Sequence, residues 1–178
     1  MREFITTLFL VGFLGYHVEA QDRQLPNGFS FGFQLNEFQN DFGIGANVTS
    51  PAFLYDKVAV RLRGNLMFHQ HPENDETTWT PYANFTFGLV SGRTQISDVI
   101  RLYGEGGVIG LLPASDFSTE DFEFGGYGLF GFEFFLGTNG NYFIEIGGVG
   151  TGATADKIPS QPIYSNGLLL SVGYRVQL

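Results

Sequence analysis

Four arginines and four glutamates carry most of the chemistry this sequence could perform outside its polar loops. Arg61, Arg63, Arg101, Arg175, Glu105, Glu123, Glu133 and Glu145 each stand in a stretch where apolar residues take every second position. Each therefore belongs to the polar face of a strand. Carboxylates paired in an open cleft do general acid–base work, as in glycoside hydrolysis. Carboxylates facing guanidinium groups in a closed space form charge-assisted hydrogen bonds instead, and the ion-pair reading is preferred here. His69 and His71, close to Glu73, Asp75 and Glu76, offer the other candidate, because imidazole and carboxylate together suit zinc. That stretch reads more simply as a solvated loop over 70–78, and no metal, cofactor or catalytic residue is assigned. Asn47-Val48-Thr49 and Asn84-Phe85-Thr86 match the glycosylation pattern, but both lie inside strand patterns. The glycines of 104–110 lack the strand–helix setting of a phosphate loop.

The elements that must position these side chains are strands. The alternation is longest over 167–178, where Leu168, Leu170, Val172, Tyr174, Val176 and Leu178 share one face. Ser171, Gly173, Arg175 and Gln177 share the other, with Leu169 the one apolar intruder. Twelve residues at about 3.3 Å each give roughly 40 Å, or about 28 Å of height at a 45° tilt. An apolar band of a transmembrane barrel is about 25 Å tall. Seven further alternating runs precede this one, over 28–36, 41–48, 57–69, 79–89, 100–109, 122–136 and 142–147. Compact connections at 50–56, 91–97 and 138–141 alternate with long polar ones at 70–78, 113–121 and 151–166. The short turn at 37–40 departs from that rule. No stretch after residue 20 reads as a helix of three turns.

Composition narrows the class. Charged residues are 15% of the chain and aromatic ones 16%, and the formal net charge is −9. An acidic chain lacks the basic face that nucleic acid requires. There is no cysteine, which excludes disulfides and a lipid-anchored thiol. Met1, Arg2 and Glu3 precede an apolar run over 4–16, and Val18 and Ala20 stand at −3 and −1 of a cut before Gln21. This is the layout of a secretory signal peptide, so 1–20 is expected to be removed and 21–178 to form one barrel domain.

Alternation alone does not say which face meets water, since a soluble lipocalin-like binding barrel alternates too. The scarcity of lysine, Lys57 and Lys157 alone, argues against a water-facing exterior. Trp79, Tyr142 and Tyr174 fall near strand ends, where interfacial aromatic belts sit. With the closing strand Leu168 to Leu178, the pattern resembles the small eight-stranded bacterial outer-membrane β-barrel proteins of the OmpX and OmpA transmembrane-domain kind. Those proteins usually end in Phe, and this chain ends in Leu178. The resemblance implies an all-β fold, a closed eight-stranded antiparallel up-and-down transmembrane β-barrel, in the bacterial outer membrane. It implies that the barrel assembly machinery reads the last strand, that lipid and lipopolysaccharide surround a monomer, and that acidic outer loops serve a structural or surface-interaction role. Lipid-modifying hydrolases and acyltransferases of the outer leaflet are the enzymatic alternative. The His-x-Ser spacing of the lipid A deacylases is replaced here by His69-Gln70-His71. Eight strands leave a lumen that side chains fill. The eight charged residues are expected to form one buried network there, with Glu105 midway and Glu123 near the outer mouth, and with glycines making room for them.

Overall fold

Period-two alternation closes into a ring. A computed structural model describes residues 27–178 apart from 40, 74, 75, 138 and 160, and for 73 and 76 it describes the backbone alone. The signal peptide expected over 1–20 lies outside the described residues. Eight strands follow in order: β1 (Ser30–Phe38), β2 (Asp41–Thr49), β3 (Ala59–Glu73), β4 (Glu76–Ser97), β5 (Ile100–Leu112), β6 (Glu123–Phe134), β7 (Gly140–Gly150) and β8 (Gly167–Gln177). Each pairs antiparallel with its sequence neighbour, and β1 closes on β8 from Ser30↔Gln177 to Phe38↔Leu169. Closure leaves no unpaired edge along the wall.

The faces are inverted relative to a water-soluble domain. Along β1, Ser30, Gln34 and Asn36 are buried while Phe31, Phe33 and Leu35 are exposed, Phe33 by 65%. The same holds on β6, where Phe130 is 66% exposed. Most polar strand side chains point into the lumen and most apolar ones out, with Met67, Ile109, Leu129 and Leu169 among the apolar residues buried inside.

Two expected connections differ from the observed ones. Residues 70–78 are not a loop: β3 and β4 continue as a paired ribbon through Gln70↔Trp79, His71↔Thr78 and Pro72↔Thr77. A two-stranded ribbon beyond the ring needs no apolar face, and Thr77 and Thr78 have branched side chains that suit it. Nor is 91–97 a turn. β4 runs on to Ser97 with register shifts between Ser91 and Thr94 and between Gln95 and Ser97. The turn chemistry of Ser91-Gly92-Arg93 builds a bulge, with Gly92 at φ 64°, a conformation that glycine adopts without strain. Pro81 stands inside β4. It pairs with Phe68, and β4 meets β5 only from Ala83 onward, so no ladder bond on that side is lost.

The connections at 39–40, 74–75, 113–122 and 151–166 share one end of the barrel, and 50–58, 98–99 and 135–139 share the other with Gly28 and Leu178. At the first end the two long loops fold over the lumen. Phe117, Ala153, Ala155, Ile158 and Tyr164 are buried there. Thr119 N–H donates to Asp156 Oδ1 at 2.8 Å, its hydroxyl donates to Oδ2, and Lys157 Nζ donates to the Ser115 carbonyl at 2.7 Å. These bonds tie one loop to the other.

Candidate functional site

Seven of the eight charged residues meet in the lumen. Arg61 and Arg63 lie two apart on β3 and so project from one face. Arg61 Nη1 donates to Glu105 Oε2 at 2.6 Å and to Glu145 Oε1 at 3.2 Å. Arg63 reaches the same two carboxylates, each at 2.5 Å. Arg175 joins Glu145 Oε1 at 2.7 Å to Glu133 Oε1 at 3.2 Å. Arg101 donates to Glu133 Oε2 at 2.6 Å, and this pair is set directly by the register Arg101↔Glu133, a cross-strand pair on one face. Arg175 and Glu145 also stand on paired strands, β8 and β7, whereas the remaining pairs span the lumen between strands that are not neighbours, which is how a ring of modest radius lets long side chains cross it.

Phenols and aromatic faces complete the plug. Tyr103 donates to Glu145 Oε1, and Tyr127 donates to Glu105 Oε1 at 2.7 Å. The Arg175 guanidinium lies 3.6 Å from the Phe143 ring centroid and that of Arg101 lies 4.8 Å from Phe135, within cation–π range. Arg61 Nε donates to Thr49 Oγ1 at 2.7 Å and Arg175 Nε to Asn47 Oδ1 at 3.0 Å. Four guanidinium groups thus face three carboxylates, and each carboxylate accepts from at least two donors. Glycine makes the crossing possible at Gly131, where a Cβ would collide with the Tyr103 ring.

Glu123 does not belong to this network. It is half-buried at the loop end of β6, opposite Leu111, whereas Glu105 pairs with Leu129. Six residues put Glu123 about 20 Å along β6 from that level, or about 14 Å in height at a 45° tilt, outside the cluster that the four arginines form.

Two further polar layers lie above the plug. Asn65 Oδ1 accepts from Gln34 Nε2 at 2.8 Å and from Asn36 Nδ2 at 2.9 Å, and its own Nδ2 donates to Asn84 Oδ1 at 2.6 Å. The void beside this amide layer, bounded by Gln34, Asn65, Thr86 and Tyr127, is about 10 Å³, room for one water at most. Higher again, His69 Nδ1 bonds Asp41 Oδ1 at 2.7 Å, and Tyr82 and the Ser165 N–H both donate to Asp41 Oδ2 at 2.7 Å. Asp41 thereby fixes the loop 151–166 onto the barrel. Phe117 and Tyr164 close the layer, and burial pushes the Tyr164 phenol up to about 12. His69 and His71 are therefore buried rather than in a solvated loop. Among the described residues no group of three or more His, Asp or Glu is placed to hold a metal.

The amide layer and the Asp41 cluster were not singled out from sequence. Their signal was present, since Gln34, Asn36, Asp41 and Asn47 keep the phase of the polar face, as Tyr103 and Tyr127 do on β5 and β6. The outward residues fall as follows. Tyr142 and Tyr174 are neighbours across β7 and β8, their ring centroids 4.9 Å apart, toward the terminal end. Trp79 lies at the loop end, half exposed. Leu168, Val172, Tyr174, Val176 and Leu178 point outward and Leu170 is half-buried. Leu169 points inward, opposite Phe38, and is part of the apolar packing over the amide layer.

This architecture has a solved counterpart. The N-terminal β-barrel domain of Pseudomonas aeruginosa OprF superposes with a TM-score of 0.58 at 10% identity, covering 87% of this chain and 100% of that domain. The likeness is one of fold. No family model and no curated protein matches the sequence.

Proposed function

We propose that the chain is an integral outer-membrane β-barrel protein, non-enzymatic, with a side-chain-filled lumen and a structural or surface-interaction role. One observation carries this: an apolar exterior surrounds a lumen in which buried arginines and glutamates pair with one another. A soluble barrel that carried a ligand would need the opposite arrangement. The fold shared with the OprF barrel domain supports the same reading. The end bearing the long loops then faces outward and the end bearing the termini faces the periplasm. Asp116, Glu120 and Asp121 are exposed on the outer loops and would meet partners or the saccharide of lipopolysaccharide. Strand β8 would present the outward row Leu168 to Leu178 to the assembly machinery.

The burial of His69 and His71 favours this reading over an outer-leaflet lipid hydrolase, whose histidine must reach substrate at the lipid-facing rim. The test is refolding of the chain lacking residues 1–20 into detergent and into lipid vesicles. Heat-modifiable migration on a gel and resistance of the strands to protease in vesicles are expected. A chain that stays monomeric and folded in buffer without amphiphile overturns the proposal. Release of acyl chains from labelled lipopolysaccharide would establish the enzymatic alternative.

A further inference from the structure

The plug makes no use of the two histidines above it. They lie two apart on β3, so both rings enter the lumen from one face, with centroids 5.8 Å apart and 27° between their planes. Each ring already has one nitrogen engaged: His69 Nδ1 with Asp41 Oδ1 at 2.7 Å, and His71 Nε2 with Thr80 Oγ1 at 2.8 Å. The opposite nitrogens, His69 Nε2 and His71 Nδ1, are buried and have no hydrogen-bond partner. Buried polar atoms are nearly always satisfied, so two orphans on adjacent rings call for an occupant. An outer partner that fixes ring orientation while the other nitrogen stays free is the arrangement of metal-ligating histidines, and a carboxylate is one such partner.

Spacing agrees with a shared ion. A ring bound through nitrogen at about 2.0–2.1 Å has its centroid roughly 3.2 Å from the ion, so two such rings stand at most about 6.4 Å apart. The observed 5.8 Å lies inside that limit. Imidazole donors select copper, nickel or zinc over calcium and magnesium, which take oxygen.

We infer that His69 Nε2 and His71 Nδ1 together bind one divalent first-row transition ion of the copper–nickel–zinc class. Water completes its shell beneath the cap of Phe117 and Tyr164, whose rings stand 5.3 and 5.8 Å from that of His69. With two protein ligands the ion is exchangeable and not a folding requirement. Asp41, which orients His69 and also holds the Ser165 amide, links the ion to the loop cap.

The experiment uses the chain lacking residues 1–20, which keeps every described strand, refolded untagged in detergent, stripped with chelator and titrated with Cu²⁺ alone. Electron paramagnetic resonance is expected to show one equivalent bound through two imidazole nitrogens, displaced by Ni²⁺ or Zn²⁺ and not by Ca²⁺. His69→Ala and His71→Ala should each weaken binding at least about tenfold, and Thr80→Val by about 10- to 100-fold, the usual effect of removing an outer-shell partner. No stoichiometric binding, a wild-type spectrum without imidazole nitrogen, or unchanged affinity in both histidine variants overturns the inference. Because the wild-type spectrum alone counts the nitrogens, a variant that fails to fold does not remove the test.

Discussion

Glu145 accepts from Arg61, Arg63, Arg175 and Tyr103, more donors than any other acidic group in the plug. Replacing a buried ion network by apolar residues can be nearly neutral, whereas removing one partner strands the others without compensation, at about 3–5 kcal/mol. Glu145→Ala is therefore expected to lower stability by about that amount in reversible denaturant unfolding from lipid vesicles. Glu123→Ala, outside the network, should change it by less than about 0.5 kcal/mol, the ordinary effect of a surface substitution. Equal effects of the two would contradict the assignment of the network. Gly131→Ala tests the same plug from its steric side. The added Cβ would meet the Tyr103 ring and displace the phenol from Glu145. The expected loss is about 1–3 kcal/mol, typical of overpacking, and Tyr103→Phe combined with it should not restore stability, because the clash is with the ring and not the hydroxyl.

Strands were legible in the sequence because a wall one residue thick writes its two environments alternately along the chain. Runs such as Phe31-Gly32-Phe33-Gln34-Leu35 leave only the choice of which face is wet. Ends of strands were less legible. Ser91-Gly92-Arg93-Thr94 carries turn chemistry, yet a bulge uses the same residues, and only pairing with Gly104 and Leu102 distinguishes the two. Likewise 70–78 is as polar as a loop although it is paired, because Gln70, Pro72 and Thr77 meet solvent while His71 turns into a polar lumen. The ion network was readable from phase, but membership depends on height, and Glu123 shares the phase of Glu133 while lying far from it. The loop cap was illegible, since Asp41, Ser165 and Phe117 come together only through tertiary folding. That cap carries its own prediction. Hydrogen bonds from the Thr119 hydroxyl and amide hold the Asp156 carboxyl below its ordinary value. For a lowered carboxylate the stabilisation is fully present above the unfolded value of about 3.9 and is lost as pH falls through the lower folded value. Hydrogen exchange at the Thr119 amide should accelerate, relative to its intrinsic rate, from about pH 4 downward. Asp156→Asn should show no such acid transition, and an identical pH profile in that variant would sink the loop-pin argument.

At the scale of the whole barrel, the ionic plug, the amide layer and the aromatic cap stack along one axis and leave a void of about 10 Å³ beside the amides. Planar-bilayer recording should accordingly show no steady conductance steps. The outer surface gives the sharper test, because water and hydrocarbon demand opposite things of it. In a bilayer an arginine on the lipid face costs about 2–4 kcal/mol at the midplane and about 0–1 near the interfaces. On a water-exposed wall the same change would be close to neutral and would improve solubility. Ile144 and Tyr142 stand two apart on β7 and both point outward, each at least half exposed, with Tyr142 nearer the terminal end, beside Tyr174. Ile144→Arg should therefore destabilise the barrel in vesicles more than Tyr142→Arg does, and Leu35→Arg, on the opposite side of β8, should match Ile144→Arg because both pair with Val172. Inward substitutions obey no such gradient, since their cost follows the partners they lose. If the outward arginines prove uniformly neutral in vesicles, the apolar wall does not face lipid, and the orientation on which the proposed function rests is wrong.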